Sequence, residues 1–393
     1  MAKLHPSSRT VLELLADFEP AKPVGIRSIA TFTSSDSETL VYIGTQSGSL
    51  ILLSLNSNFP SLSHSSNAST ANAGKNVPSH LRSVSVCDSP VDSIHVVADI
   101  GRVLVLSDGF MFLMDSLLIQ PVKRLSFLKG VTVISRRLRT GDAESLDFSE
   151  NVSGLVESSS ASQRFLMKLG SGIRANGAKA RESEHLRDGN RVFAIAAAKK
   201  LVLVELLSVN RLGRSDREID SAGGGASFVI LKEIQGVDGV RTMVWIDDSI
   251  IIGTSSGYSL ISCVSGQCSV LFSLPDPSSM PHLKLLRKEH KVLLLVDNVG
   301  IIVNAYGQPV GGSLVFRYFP DSVGEISSYV VVASDGKMEL YHKKSGVCIQ
   351  MASVAAEGSG MSVVADAEDA SGNLVVVATP SKVCKPFFIG SIL

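Results

Sequence analysis

The sequence is short of charge. Only 19% of residues are Asp, Glu, Lys or Arg, with 37 cations against 37 anions. A zero balance gives the chain no overall pull toward nucleic acid or an anionic membrane. Aromatic residues make up 6%, with a single tryptophan, Trp245, and there is no stripe in which basic and aromatic residues interleave. That argues against a nucleic-acid partner. No apolar run reaches the roughly 18 residues of a membrane span. The N-terminal MAKLHPSSRTVLELLADFEP lacks the continuous apolar stretch of a secretory signal, because Glu13 and Asp17 interrupt it. The five cysteines, Cys87, Cys263, Cys268, Cys348 and Cys384, are odd in number and scattered. A disulfide framework is therefore not expected, and reduced thiols of a cytoplasmic protein fit better. Cys263 and Cys268 have no second Cys or His pair at zinc spacing.

What the chain has is 45% hydrophobic residues, enough for a sizeable core, and one pattern that recurs. A short apolar strand leads into a small turn with glycine and out through a second apolar strand. Leu40–Leu55 (LVYIGTQSGSLILLSL), Val103–Asp115, Ile250–Val264, Val292–Gly307 and Tyr329–Gly346 follow it. Phe193–Leu207, with Lys199 and Lys200 at its turn, and Asn373–Phe388 are weaker copies. Tight hairpins need left-handed backbone at one or two positions, which Gly, Asn and Asp adopt at least cost. Gly48, Gly109, Gly257, Gly300 and Gly336 stand where that need falls, beside Asp108, Asn298 and Asp335. Several flanking runs are apolar at every position, as in strands buried on both faces.

A further strand precedes most hairpins and another follows, so the unit is about four strands over roughly 40–50 residues, the size of a propeller blade. Units begin near Val24, Val91, Val131, Gly239, His282, Val323 and Met361. The expected fold is all-β: a seven-bladed β-propeller of four-stranded antiparallel blades over residues 1–393. The last unit is short of strands, and Thr10–Phe18 is expected to close the ring by pairing with the C-terminal strands. Two polar, Ser-rich stretches, about 56–80 and 140–190, read as disordered loop insertions, and Arg211–Gly225 as a third polar connection.

No catalytic constellation emerges. Gly170, Gly172 and Gly177 lack the preceding strand and following helix of a dinucleotide loop. The eight histidines are dispersed, with His95 in a strand and His282 and His290 near turns. No serine sits in a hydrolase elbow. Asp247, Asp248 and Asp297 stand beside turns, where they serve local hydrogen bonding. Trp245 is expected in the core. The cluster Lys123, Arg124, Lys129, Arg136, Arg137 and Arg139 suits either an acidic partner or, more simply, a solvated strand edge. The sequons at Asn67 and Asn151 carry no meaning in a cytoplasmic chain. No catalytic, cofactor-binding or metal residue is therefore expected, nor a cofactor or small-molecule substrate, and the chain is read as a binding protein and not an enzyme.

The opening VGIRSIATFTSSDSETLVYIGTQSGSLILLSL resembles the start of a citron homology (CNH) domain, through the hairpin from Leu40 to Gly48. IIIGTSSGYSLI and KLLRKEHKVLLLVDNVGIIVN fit the same domain. A first blade followed by a polar insertion is similar to plant members of the vacuolar sorting protein family, relatives of transforming growth factor-β receptor-associated protein 1. The resemblance implies a subunit of an endosomal or vacuolar tethering complex, CORVET or HOPS. Its partners would be other tethering subunits and Rab-family small GTPases. It also implies a cytoplasmic location, peripheral to endosome or vacuole, and work in vesicle-mediated protein transport, vesicle fusion and autophagy. Family members continue into clathrin-like helical repeats, and no helical repeat domain is read in this chain. The alternatives are a CNH or WD40-like scaffold in small-GTPase or kinase signalling and, further off, a propeller enzyme with a channel site.

Overall fold

The computed structural model describes residues 12–18, 25–33, 38–55, 79–139, 191–208, 226–276, 279–354, 363–366, 375–379 and 382–388. Among them there is no α-helix. The strands fall into small antiparallel sheets, and the chain divides into two units. One comprises Met1–Leu125, Asp297–Ile302 and Gly311–Leu393; the other comprises Ser126–Val296 and Val303–Val310.

In the first unit, β1 (Leu12–Phe18) lies antiparallel to β28 (Lys382–Phe388), followed by β27 (Val375–Thr379) and β26 (Val363–Asp366). The N-terminal strand thus completes a C-terminal sheet, as the sequence suggested. The next sheet runs β2 (Ile26–Thr33), β3 (Thr39–Thr45), β4 (Ser49–Leu55) and β5 (Ser79–Ser85). Another runs β6 (Val91–Val97), β7 (Arg102–Ser107), β8 (Phe110–Asp115) and β9 (Lys123–Leu125). A fourth comprises β22 (Ser322–Ile326), β23 (Tyr329–Ser334), β24 (Lys337–His342) and β25 (Cys348–Ser353).

Stacking of these sheets explains the unbroken apolar runs. β3, TLVYIGT, is buried at every position. Its Leu40 and Tyr42 face a core shared with β6–β8, while Val41 and Ile43 face one shared with Val376 and Ala378 of β27. A strand between two sheets has no water-facing side, so alternation disappears. Val364, Val375 and Val377 in turn pack on Val331, Ala333 and Leu340 of the β22–β25 sheet. The sheet containing both ends of the chain is therefore held between β2–β5 and β22–β25.

In the second unit, β10 (Val131–Leu138), β11 (Val192–Ala197), β12 (Lys200–Ser208) and β13 (Ala226–Gln235) form one antiparallel set. β14 (Thr242–Ile246), β15 (Ser249–Thr254), β16 (Gly257–Ser262) and β17 (Cys268–Ser273) form another. A short parallel pairing, Arg137 with Trp245 and Leu138 with Ile246, joins them into one eight-stranded sheet. β18 (His282–Leu286) and β19 (Lys291–Val296) make a further hairpin. In the first unit, β20 (Val299–Val303) and β21 (Leu314–Val315) pair through Val299–Val315 and Gly300–Leu314.

Some sequence expectations need correction. Gly300 is a strand residue paired with Leu314, and the left-handed turn residue of that hairpin is Asp297, at φ 53°. The turn before β12 uses Ala198, at φ 53°, and Lys199, so Lys200 already lies in the strand. Ser79 and His80 open β5 and so are not part of the preceding insertion. The rest of that insertion, residues 140–190 with Gly170, Gly172 and Gly177, residues 211–225, and the two sequons lie outside the described residues.

Candidate protein-interaction surface

Two hairpins share the sequence Gly-Thr-x-Ser-Gly, at Gly44–Gly48 and Gly253–Gly257, and use it alike. A Cβ on Gly44 would stand 2.5 Å from Val91 Cγ1 at the start of β6, and one on Gly253 would stand 2.7 Å from Pro281 Cβ just before β18. The first glycine lets the next sheet approach. The threonine hydroxyl then meets the serine hydroxyl, at 3.0 Å for Thr45–Ser47 and 2.8 Å for Thr254–Ser256, and fixes the turn. The last glycine has φ 79° in Gly48 and 139° in Gly257, and an added Cβ would overlap the carbonyl oxygen of Cys87 or Phe272. The glycines serve the scaffold and are buried, while Ser47 and Ser256 stay at the surface of the turns.

The tyrosines on the central strands lock neighbouring segments. Tyr42 Oη donates to Ser116 O at 2.8 Å. Tyr258 Oη receives the His282 N–H at 2.9 Å and also bonds Leu295 O. Tyr341 Oη donates to Glu339 at 2.7 Å and accepts the Arg317 N–H at 3.3 Å. Burial pushes the Tyr258 phenol up to about 12, and holds those of Tyr42 and Tyr341 well above their usual range.

The basic cluster read from the sequence is divided between the two units. Lys123 and Arg124 lie on β9 of the first unit, where the Arg124 guanidinium sits 3.5 Å from the Phe110 ring centre. Lys129, Arg136, Arg137 and Arg139 belong to the second unit. Arg137 is not a solvated edge residue: its side chain is 11% exposed. Its Nε donates to Asp247 O at 2.8 Å, its second nitrogen pairs with Asp248 at 2.6 Å, and it stands 5.3 Å from the Trp245 ring centre. Trp245 is buried, as expected, and its indole N–H also bonds Asp247 O. Arg137 thus secures the β10–β14 junction. A second internal charge pair joins Lys343 and Glu325 at 2.5 Å, with side chains only 2% and 4% exposed.

Cys263 is buried and its thiol is pushed up to about 12 by burial, whereas Cys268 is exposed. Among the described residues, no three His, Cys, Asp or Glu side chains gather as metal ligands would. Among them, too, no helix is long and apolar enough to cross a membrane.

What remains for partners is the outer surface. In the first unit, Val315 (58% exposed), Tyr318 (57%), Phe319, Val347, Ile349 and Met351 (50%) are large apolar side chains open to water. They fall on the outer strand β25, at Val347 just before it, and on the segment Leu314–Phe319. That segment follows the sheet: Arg317 Nε is 3.9 Å from Glu339 Oε1 of β24, and the Lys337 ammonium is 5.8 Å from the Tyr318 ring centre. Sequence reading missed this group. Its one signal was the uncharged run VCIQMASV, which alternates exposed and half-covered residues.

Residues 37–356 match the CNH domain family, and the chain belongs to it. CNH proteins of this kind are non-catalytic scaffolds. The chain is 48% identical, over 379 residues and 95% of its own length, to vacuolar sorting protein 3 of Arabidopsis thaliana. It spans 36% of that relative's length. Among solved structures, the AfRom2 CNH domain matches 97% of the chain and 100% of its own, at TM-score 0.53 and 10% identity, which supports the propeller-like fold.

Proposed function

We propose that this chain is a single seven-bladed CNH propeller, closed by β1, which serves as a non-catalytic binding part in vacuolar sorting. In this reading it belongs to a CORVET- or HOPS-type tethering complex and meets other tethering subunits and Rab-family small GTPases. It acts from the cytoplasm at the endosome or vacuole surface, in vesicle docking before fusion and in the fusion steps of autophagy. What carries the reading is the 48% identity to vacuolar sorting protein 3 over 95% of the chain. The physical surroundings agree with it. Stacked sheets give a rigid frame, and function in such frames resides on loops and outer edges.

The test is affinity capture on the purified chain, offering tethering subunits and Rab GTPases loaded with GTP or GDP, together with imaging of a fluorescent fusion in cells. Retention of a tethering subunit, preference for one nucleotide state, and fluorescence on endosomal or vacuolar membranes are expected. A chain that retains none of these proteins and stays evenly spread in the cell overturns the reading.

A further inference from the structure

β25 hydrogen-bonds only β24, and among the described residues no strand pairs with its other edge. The direction of its polar groups follows from the ladder. The Val354 N–H donates to Gly336 O at 2.8 Å, so stepping by two along an antiparallel pair turns Ala352 and Gln350 toward β24 as well. Met351 then aims its N–H and C=O groups outward, while Ile349 is the extra residue at the register shift between Leu340 and Tyr341. A free edge of this kind is a template for another strand, and proteins ordinarily blunt it with charge or proline. β5 carries Arg82, β9 carries Lys123 and Arg124, and β13 carries Lys232 and Glu233. From Ser345 to Val354 there is no charge and no proline. The outer strand β17 is also uncharged, but Gly307 packs so closely on its Leu271 that a Cβ would collide. Among the described residues no second strand is hydrogen-bonded to β25.

Side chains and charge define what fits. Val347, Ile349 and Met351 stand exposed at alternate positions, and Tyr318 and Phe319 extend the apolar area on the segment beside β24. The two ends of β25 differ in sign. At the Tyr341 end are the exposed Lys344 and Arg317, whose side chain is 59% exposed. At the far end stands the exposed Asp335, whose N–H bonds the Asp321 carboxylate. Glu339, between them, is buried and bonded to Tyr341.

We infer that β25 accepts an extended peptide from a partner protein as an added strand. Its alternate apolar side chains pack beside Ile349 and Met351, and its acidic end lies at Arg317 and Lys344. Main-chain hydrogen bonds supply the affinity, and the apolar and charged contacts supply the register. The inference rests on the protein-binding reading and gives it a place and a ligand chemistry.

The probe is a fluorescent octapeptide in which valine alternates with threonine, with two glutamates at one end, titrated into the full 393-residue chain. Saturable binding is expected. It should weaken at least about tenfold in Met351→Lys and Ile349→Lys, the cost of placing a desolvated charge at a docked strand. A probe N-methylated at alternate amides should not bind. Arg317→Glu should favour a probe with two lysines in place of the glutamates, and Val270→Lys on β17 should change nothing. Unchanged melting temperatures show that the variants fold. Absence of saturation, equal binding of the N-methylated probe, or binding only to phosphatidylserine vesicles overturns the inference. Peptide binding without capture of tethering subunits overturns the tethering reading and leaves this site standing. Capture without peptide binding does the reverse.

Discussion

At Gly48 the backbone sits at φ 79°, and the space a side chain would occupy is filled by the Cys87 carbonyl. Left-handed backbone alone costs a non-glycine residue about 1–2 kcal/mol, and here the overlap adds to it. Gly130, at φ 65° with nothing nearby, faces the first cost without the second. Gly48→Ala should therefore lower unfolding free energy by more than about 2 kcal/mol, and Gly130→Ala by only about 1, as read from denaturant midpoints. Equal losses would mean the turn yields at no cost and the overlap is unimportant. This chemistry was legible in the sequence, because Gly-Thr-x-Ser-Gly announces a tight turn in both copies. Gly300 misled for a physical reason. Asp297 adopts the left-handed conformation itself, so the nearby glycine is free to be a strand residue. Arg137 misled differently: its charge suggested solvent, but Asp248 and two contacts across the β10–β14 junction make burial tolerable.

Strands and hairpins came through the sequence well where both partners are local. The strands at Ile26, Val91, Val131, Thr242, His282, Ser322 and Val363 start close to the positions read from the apolar pattern. The parallel pairing of Arg137 with Trp245 did not come through, since it is two residues long and its partners are distant in the chain. The apolar row on β25 was equally hidden, because exposure of an edge depends on what does not pack there. The sheet β22–β25 also carries its own electrostatic test. Glu325 on β22 and Lys343 just beyond β24 are paired out of water. Removing one partner of such a pair costs about 3–5 kcal/mol, while replacing both by apolar residues is often neutral. Lys343→Met should thus destabilise by that amount in chemical denaturation, and adding Glu325→Leu should restore most of it. A double variant no more stable than the single one would show that the pair is not the main contact of either residue.

For the molecule as a whole, the buried tyrosines predict an alkaline limit. The phenol of Tyr258 titrates near 12 when folded and from 10.0 when released, and those of Tyr42 and Tyr341 are raised further by burial. The native state then holds protons that the unfolded state gives up, so stability is intact below pH 10 and declines as pH rises toward 12. Melting temperature should fall through that window, with tyrosinate absorbance appearing together with unfolding. Tyr258→Phe should flatten the slope. Tyrosinate forming in protein that remains folded would contradict the burial. Family membership and the all-β character were readable because stacked sheets impose continuous apolar runs and glycine turns. The arrangement of surfaces was not, because a strand's neighbours on its open side leave no trace in its own residues. Finally, β1 and its partner β28 are joined by all the other strands of the fold. That sheet cannot finish assembling until β28 has been synthesised, so a protease pulse on stalled nascent chains should cut at Leu12–Phe18 until β28 emerges.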